Sequence, residues 1–310
     1  MKKAVVAFGG NFISKAEQKE ERIEEQFNNI RNASKHLLPL IKKYSVLITN
    51  GNGPQVGRLL RRVELSSIEL SPIPLDICVA NTQGSMGYML QEGISNILGL
   101  NGIKKKVVTL ITQVIVDKKD PAFQDFTKPI GSFYNEKEAG IHIKKDKWVM
   151  KKLGKGWRRV VPSPKPLAIV EINEIISLSK SSIVICCGGG GIPVIKEKGI
   201  IKGVEAVIDK DRVSALLANL INADLFIILT DVPYASINYG KKNQTAIRNT
   251  TVCEIMPYVA QGHFEEGSMK PKIEAAISFL NNKKKKVIIT CPEMLEKALK
   301  GKAGTIIRKG

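Results

Sequence analysis

The chain has 310 residues, 43% hydrophobic and 25% charged, which is enough to bury a substantial core and excludes a disordered or fibrous protein. Lys and Arg number 48 against 29 Asp and Glu, a net charge of +19 that raises phosphorylated ligands or nucleic acid as partners without choosing between them. Met1-Lys2-Lys3 leads into only five apolar residues, and no apolar run approaches the roughly 18 residues of a membrane span, so neither a signal peptide nor a span is predicted.

In chain order, short β-branched runs at residues 4–8, 45–49, 107–112, 182–187, 225–230 and 286–291 predict buried strands. Between them, residues 16–43, 82–98, 211–222 and 269–281 have helical length and period. This alternation predicts an α/β fold with a largely parallel sheet. Residues 117–166 break it, being rich in Lys, aromatics and prolines (Pro121, Pro129, Pro162, Pro164, Pro166), and predict an inserted lobe of short strands and turns. The lobe carries the densest basic stretch, residues 144–159, with Trp148 and Trp157 expected to pack it internally. The five cysteines are odd in number and include the adjacent pair Cys186-Cys187, which suits a reduced, cytoplasmic setting.

In open parallel sheets ligands bind beyond the carboxyl ends of the strands, and glycine marks three of those turns: Gly9-Gly10-Asn11, Gly51-Asn52-Gly53 and Gly188 to Gly191. Glycine lets backbone N–H groups approach an anion, and a following helix N-terminus adds a favourable dipole. None of the three carries a P-loop Gly-Lys-Ser/Thr ending or a Gly-X-Gly-X-X-Gly fingerprint, which disfavours a P-loop NTPase or a Rossmann dehydrogenase. Phosphoryl transfer needs cations near such loops. Lys210, between Asp209 and Asp211, and Lys272, at a helix start after Pro271, are candidates; a capped, solvated helix start explains Lys210 equally well. Lys128 reads by position alone as a surface lysine. His36, His142 and His263 have no metal-ligand spacing, and no Gly-X-Ser-X-Gly elbow is present.

Segments along nearly the whole chain resemble the carbamate kinases of the amino-acid kinase superfamily, among them AFGGN (7–11), TNGNGPQVG (49–57), TQGSMGYML (82–90), TKPIGSFY (127–134), GWRRVVPSPKP (156–166), CGGGGIPV (187–194), GVEAVIDKD (203–211) and GHFEEGSMKPKIEAA (262–276). The resemblance implies a three-layer α/β/α sandwich with a mainly parallel open sheet. It also implies an acceptor-side half at residues 1–116 and 167–180, a lid lobe at 117–166 and a nucleotide-side half at 181–310. The implied reaction interconverts ATP and carbamate with ADP and carbamoyl phosphate, with Mg²⁺ entering on the nucleotide, in a cytoplasmic homodimer that serves arginine breakdown through the arginine deiminase pathway.

By position, the resemblance makes Lys210 and Lys272 phosphate-binding lysines oriented by Asp211. Gly9, Gly10, Asn11, Gly51, Asn52 and Gly53 become the carbamate and phosphoryl site, and Asp231, Tyr239 and Met269 the nucleotide lining. Related kinases place a lysine just before the first Gly-Gly, where this chain has Ala7, and the resemblance assigns the missing cation to Lys128. Departures from the family pattern are Phe12, Asn50, Lys270, Lys151 and Lys152, of which Lys270 is expected near the phosphate path. The rivals are a kinase of N-acetylated amino acids, which Ala7 and the lobe oppose, and a nucleic-acid-binding protein, which the charge favours and the lysines and glycine loops oppose.

Overall fold

The computed structural model describes residues 1–13, 22–280 and 285–310, with the backbone alone at Asn11 and Phe12. Eight strands form the main sheet in the order Asn249–Thr251, Thr305–Arg308, Lys286–Thr290, Leu225–Leu229, Lys3–Phe8, Ser45–Asn50, Ser182–Ile185, Lys106–Thr109. All neighbours pair parallel except Lys286–Thr290 with Thr305–Arg308.

Strand alternation sorts the core into two layers. Val5, Ala7, Leu47, Phe226 and Ile228 face the cluster under helices Lys210–Leu220 and Met269–Leu280, whereas Ala4, Val6, Phe8, Val46, Ile48, Leu225 and Ile227 face the cluster under Ile23–Lys35 and Leu75–Leu100. Both faces being covered explains why these strands are continuously apolar in sequence. The predicted strand at 107–112 ends at Thr109; after it the chain crosses to a four-stranded sheet of Ile200–Gly203, Ile192–Glu197, Gln113–Val116 and Pro166–Ile169.

The long helix predicted from residue 16 is observed as Ile23–Lys35 followed by Leu38–Ile41, its first part lying outside the described residues. Pro39 accounts for the break, since a proline ring collides with the carbonyl four residues back, here Lys35.

Within the inserted segment, Lys128–Tyr134, Gly156–Val161 and Met150–Leu153 make a three-stranded antiparallel sheet. Turns alone were predicted beside these strands, yet a helix, Glu136–Lys145, also forms. Its start is a capping box in which Asn135 accepts from Glu138 N–H and Glu138 accepts from Asn135 N–H, and none of the segment's prolines falls inside it. Trp148 and Trp157 pack on Tyr134, Ala139 and Met150 in a small core of the lobe's own.

Part of the positive charge serves the helices. Lys3 Nζ donates to Ile221 O at 3.0 Å, and Lys105 Nζ to Ile41 O at 3.2 Å and Tyr44 O at 3.4 Å, so these lysines satisfy carbonyls at helix C-terminal ends, where the macrodipole favours cations. All five cysteines are free, and no helix among the described residues is long and apolar enough to cross a membrane.

Candidate active site

The central strands Lys3–Phe8, Ser45–Asn50 and Ser182–Ile185 are parallel, so their glycine turns emerge at one edge of the sheet. The turns touch. A Cβ added to Gly51 would lie 2.8 Å from Gly10 N, and one added to Gly189, which adopts φ +66°, would lie 2.1 Å from Asn52 Nδ2. Gly9 N–H donates to Leu229 O and Gly51 N–H to Phe8 O, each at 3.0 Å, fixing both turns to the ends of neighbouring strands. Asn52 Nδ2 donates to Thr82 Oγ1 at 2.8 Å, and helix Gly53–Ser66 starts directly after it. Asn11 has its backbone in the short helix Gly10–Ile13, and its side chain lies outside the described residues.

Helix Lys210–Leu220 points its N-terminus at this edge. Asp209 caps it, Oδ1 accepting from Asp211 N–H at 2.9 Å and Arg212 N–H at 3.3 Å. Ser214 Oγ donates to Lys210 O at 2.7 Å and meets Thr49 Oγ1 at 2.6 Å, which ties the helix start to the strand before Gly51. Capping and site formation are therefore compatible readings of the same Asp-Lys-Asp sequence.

Three ionic groups converge. Lys210 Nζ lies 2.7 Å from Asp211 Oδ1, and Lys272 Nζ lies 3.4 Å from Asp211 Oδ2 and 3.1 Å from Ser268 O. Helices Lys210–Leu220 and Met269–Leu280 share one core cluster through Val213, Leu217, Ile273 and Ala276, which brings Lys272 to the second oxygen of the carboxylate that Lys210 meets. The Lys210 stem approaches the glycine turn, its Cδ 3.7 Å from where a Gly51 Cβ would stand.

Lys210 Nζ is buried, and the Asp211 carboxylate 2.7 Å away is the partner its ammonium meets. Burial pulls its pKa down, Asp211 opposing and Lys272 adding to the fall. Burial alone would push the Asp211 carboxyl up; Lys210 and then Lys272 outweigh it and hold the group at about 2. The site thus contains an ionised acid between two lysines, the buried Lys210 ammonium among them, an arrangement whose surplus positive charge an anionic ligand at the glycine turns would balance.

Lys128 comes from the lobe, its Nζ 3.3 Å from Asp209 Oδ2. The sequence named Asp209 only as a helix cap; its second oxygen is the lobe lysine's partner, and no spacing rule links residues 81 apart. Ala7 is fully buried in its strand, so the residue before the first Gly-Gly supplies no cation.

Of the nucleotide-side candidates, Asp231 is exposed just beyond strand Leu225–Leu229 and accepts from Thr230 Oγ1 at 3.1 Å. Tyr239 is exposed on a loop tied by Asn238 Oδ1 to His263 Nδ1 at 3.1 Å, and Met269 is half-buried at the start of its helix. No hydrogen bond or ion pair among the described residues joins these three to Lys210, Asp211 or Lys272. The ammonium of Lys270 pairs with exposed Glu266 at 2.8 Å, four residues back in the turn before the helix. Among the described residues, no three His, Cys, Asp or Glu gather as a metal cage, and Asp209 and Asp211 are already engaged by lysines.

A model of the amino acid kinase family matches residues 2–291. The chain is 49% identical over 308 residues to the carbamate kinase of Pyrococcus horikoshii, covering 98% of each chain. It is 47% identical over 298 residues to carbamate kinase 1 of Enterococcus faecium, covering 95% of this chain and 94% of that one. The structure of the carbamate kinase from Giardia lamblia bound to AMP-PNP superposes with a TM-score of 0.93 at 40% identity, covering 100% of this chain and 99% of the other.

Proposed function

The chain belongs to the amino acid kinase family, on its carbamate kinase branch, and within that kinase activity we propose that Lys128, Lys210 and Lys272 carry the phosphoryl group between ATP and carbamate. In the direction of ATP synthesis, a β-phosphate oxygen of ADP attacks the phosphorus of carbamoyl phosphate and the bond to the carbamate oxygen breaks, with no covalent enzyme intermediate. Charge spreads over the equatorial oxygens of the phosphoryl group in flight, so the protein's task is positioning and neutralisation. Lys210 and Lys272 neutralise from the nucleotide side and Lys128 from the acceptor side, while the Gly9-Gly10-Asn11 and Gly51-Asn52-Gly53 turns hold the acceptor, Gly9 and Gly51 shaping them through their N–H bonds to Leu229 O and Phe8 O. Asp211, ionised at any working pH, orients the two lysines and is not itself a proton donor. Asp231, Tyr239 and Met269 line the nucleotide.

Mg²⁺ would come with the nucleotide and supply charge neutralisation there; Asp209 and Asp211, both engaged by lysines, would not be its ligands. In the cell we place the reaction in the cytoplasm, in a homodimer that makes ATP from carbamoyl phosphate released by arginine breakdown. The five free cysteines accord with that compartment.

The observation that carries this reading is the Lys210 ammonium, buried against Asp211, while the lysine's stem passes the Gly10–Gly51 contact. Purified protein with Mg²⁺, ADP and carbamoyl phosphate is expected to form ATP. Absence of ATP formation together with phosphorylation of an N-acetylated amino acid would move the chain to a neighbouring branch.

A further inference from the structure

The lobe presents Lys128 from one end of strand Lys128–Tyr134, so whatever anchors the other end fixes the lysine. That strand runs alongside helix Gly53–Ser66. Ile130 packs with Val56 and Leu60, a Cβ on Gly57 would stand 3.7 Å from Gly131 Cα, and Tyr134 Oη donates to Glu64 Oε2 at 2.8 Å. The strand from Lys128 to Tyr134 spans about 20 Å and the helix from Gly53 to Glu64 about 17 Å, at roughly 3.3 and 1.5 Å per residue. One helix thus begins at the acceptor-side glycine turn and, three turns on, grips the lobe at the end opposite Lys128.

Glu64 meets side chains from three places. Besides Tyr134, Arg61 Nη1 lies 2.8 Å from its Oε1, and His142 Nε2, from the lobe helix, lies 3.2 Å from the same oxygen. His142 is itself fixed, Nδ1 2.7 Å from Asp146 Oδ2 and its ring stacked on Trp148 with centroids 4.4 Å apart. Burial and the adjacent Glu64 carboxylate push the Tyr134 phenol up, so it stays a donor at working pH. The lobe's own core is small, and this carboxylate is the polar tie between strand, lobe helix and helix Gly53–Ser66, added to the apolar packing of Ile130 on Val56 and Leu60.

We propose that Glu64 is a positioning residue for phosphoryl transfer: by holding Tyr134 and His142 it sets how the lobe sits and hence where Lys128 meets the acceptor. The inference rests on the role given to Lys128 above.

A double-mutant cycle with Lys128→Ala tests it. Glu64→Ala is expected to lower kcat about tenfold while the KM for ADP stays within about twofold, and in the Lys128→Ala background to add no further loss. Glu64→Gln keeps an oxygen for the Tyr134 hydroxyl and is expected to recover kcat to within about threefold of the parent. Trp148 and Trp157 are the chain's two tryptophans, both in the lobe, so greater acrylamide quenching of their emission in Glu64→Ala would report the loosened lobe directly. Tyr134→Phe provides the same cycle, with a loss of about threefold, should Glu64→Ala fold poorly. Equal loss from Glu64→Ala with or without Lys128, or a raised KM at unchanged kcat, would overturn the proposal. Parental turnover by Lys128→Ala alone would sink the role of Lys128 and this inference with it, and that single variant identifies the case.

Discussion

Lys210 and Asp211 are neighbours in sequence whose charged ends also meet, Nζ 2.7 Å from Oδ1. The carboxylate therefore holds the ammonium in place, and an ammonium has three protons, so a ligand would meet those that Asp211 does not take. Lys210→Ala and Lys272→Ala are each expected to lower kcat about a hundredfold or more, because both charges act on a transition state in a water-poor site. Steady-state assays decide this; activity within about threefold of the parent removes that lysine from the catalytic set.

Asp211 should matter more to folding than either lysine. Asp211→Asn leaves two neighbouring buried or half-buried ammonium groups facing each other without their shared anion, and a cost of about 3–5 kcal/mol is expected. Urea unfolding measures it. A loss no larger than that of Lys272→Ala would show that solvent already screens the pair.

The pH dependence follows from the same cluster. Asp211 is depressed from 3.8 to about 2, so its contribution to stability is complete above the unfolded value and is lost as pH falls through that interval. Lys210 is lowered from 10.5, so the folded state releases its proton first and stability rises with pH between the lowered value and 10.5, while kcat falls there because the ammonium is lost. Urea titrations and a pH–rate profile would separate the two trends; a kcat flat up to the ordinary lysine range contradicts the assignment of Lys210.

Lys128 pairs with Asp209 across the gap between lobe and core, and the lysine side chain is 35% exposed. Lys128→Ala is accordingly expected to remove most turnover while changing stability by less than about 1 kcal/mol and leaving ADP binding intact. Calorimetry with ADP checks the last point. Loss of nucleotide affinity at normal turnover would reverse the division of labour between the two sides.

Lys270, in contrast, is expected to be a bystander. Because its ammonium rests on exposed Glu266, Lys270→Gly should leave nucleotide affinity unchanged even at low salt. A weakened ADP complex at low ionic strength would place the side chain on the phosphate path after all.

The sequence by itself determined the layered α/β architecture, since strands covered on both faces must be apolar throughout and helices between them must keep a 3.6-residue period. It also marked the three glycine turns, the Asp-Lys-Asp helix start and Lys272, because close backbone approach and helix capping restrict residue choice locally. Only the tertiary structure decided which of these features meet. The Gly10–Gly51 contact depends on strand order, the sharing of Asp211 depends on two helices packing in one core cluster, and the pairings of Lys128 with Asp209 and Tyr134 with Glu64 join residues 81 and 70 apart. Lys128 and Lys270 make the point in opposite directions. One looks like a surface lysine and is brought to the site by a strand, the other sits two residues from Lys272 and is turned away by Glu266, because a side chain's direction is set by the packing of its element and not by its neighbours in sequence.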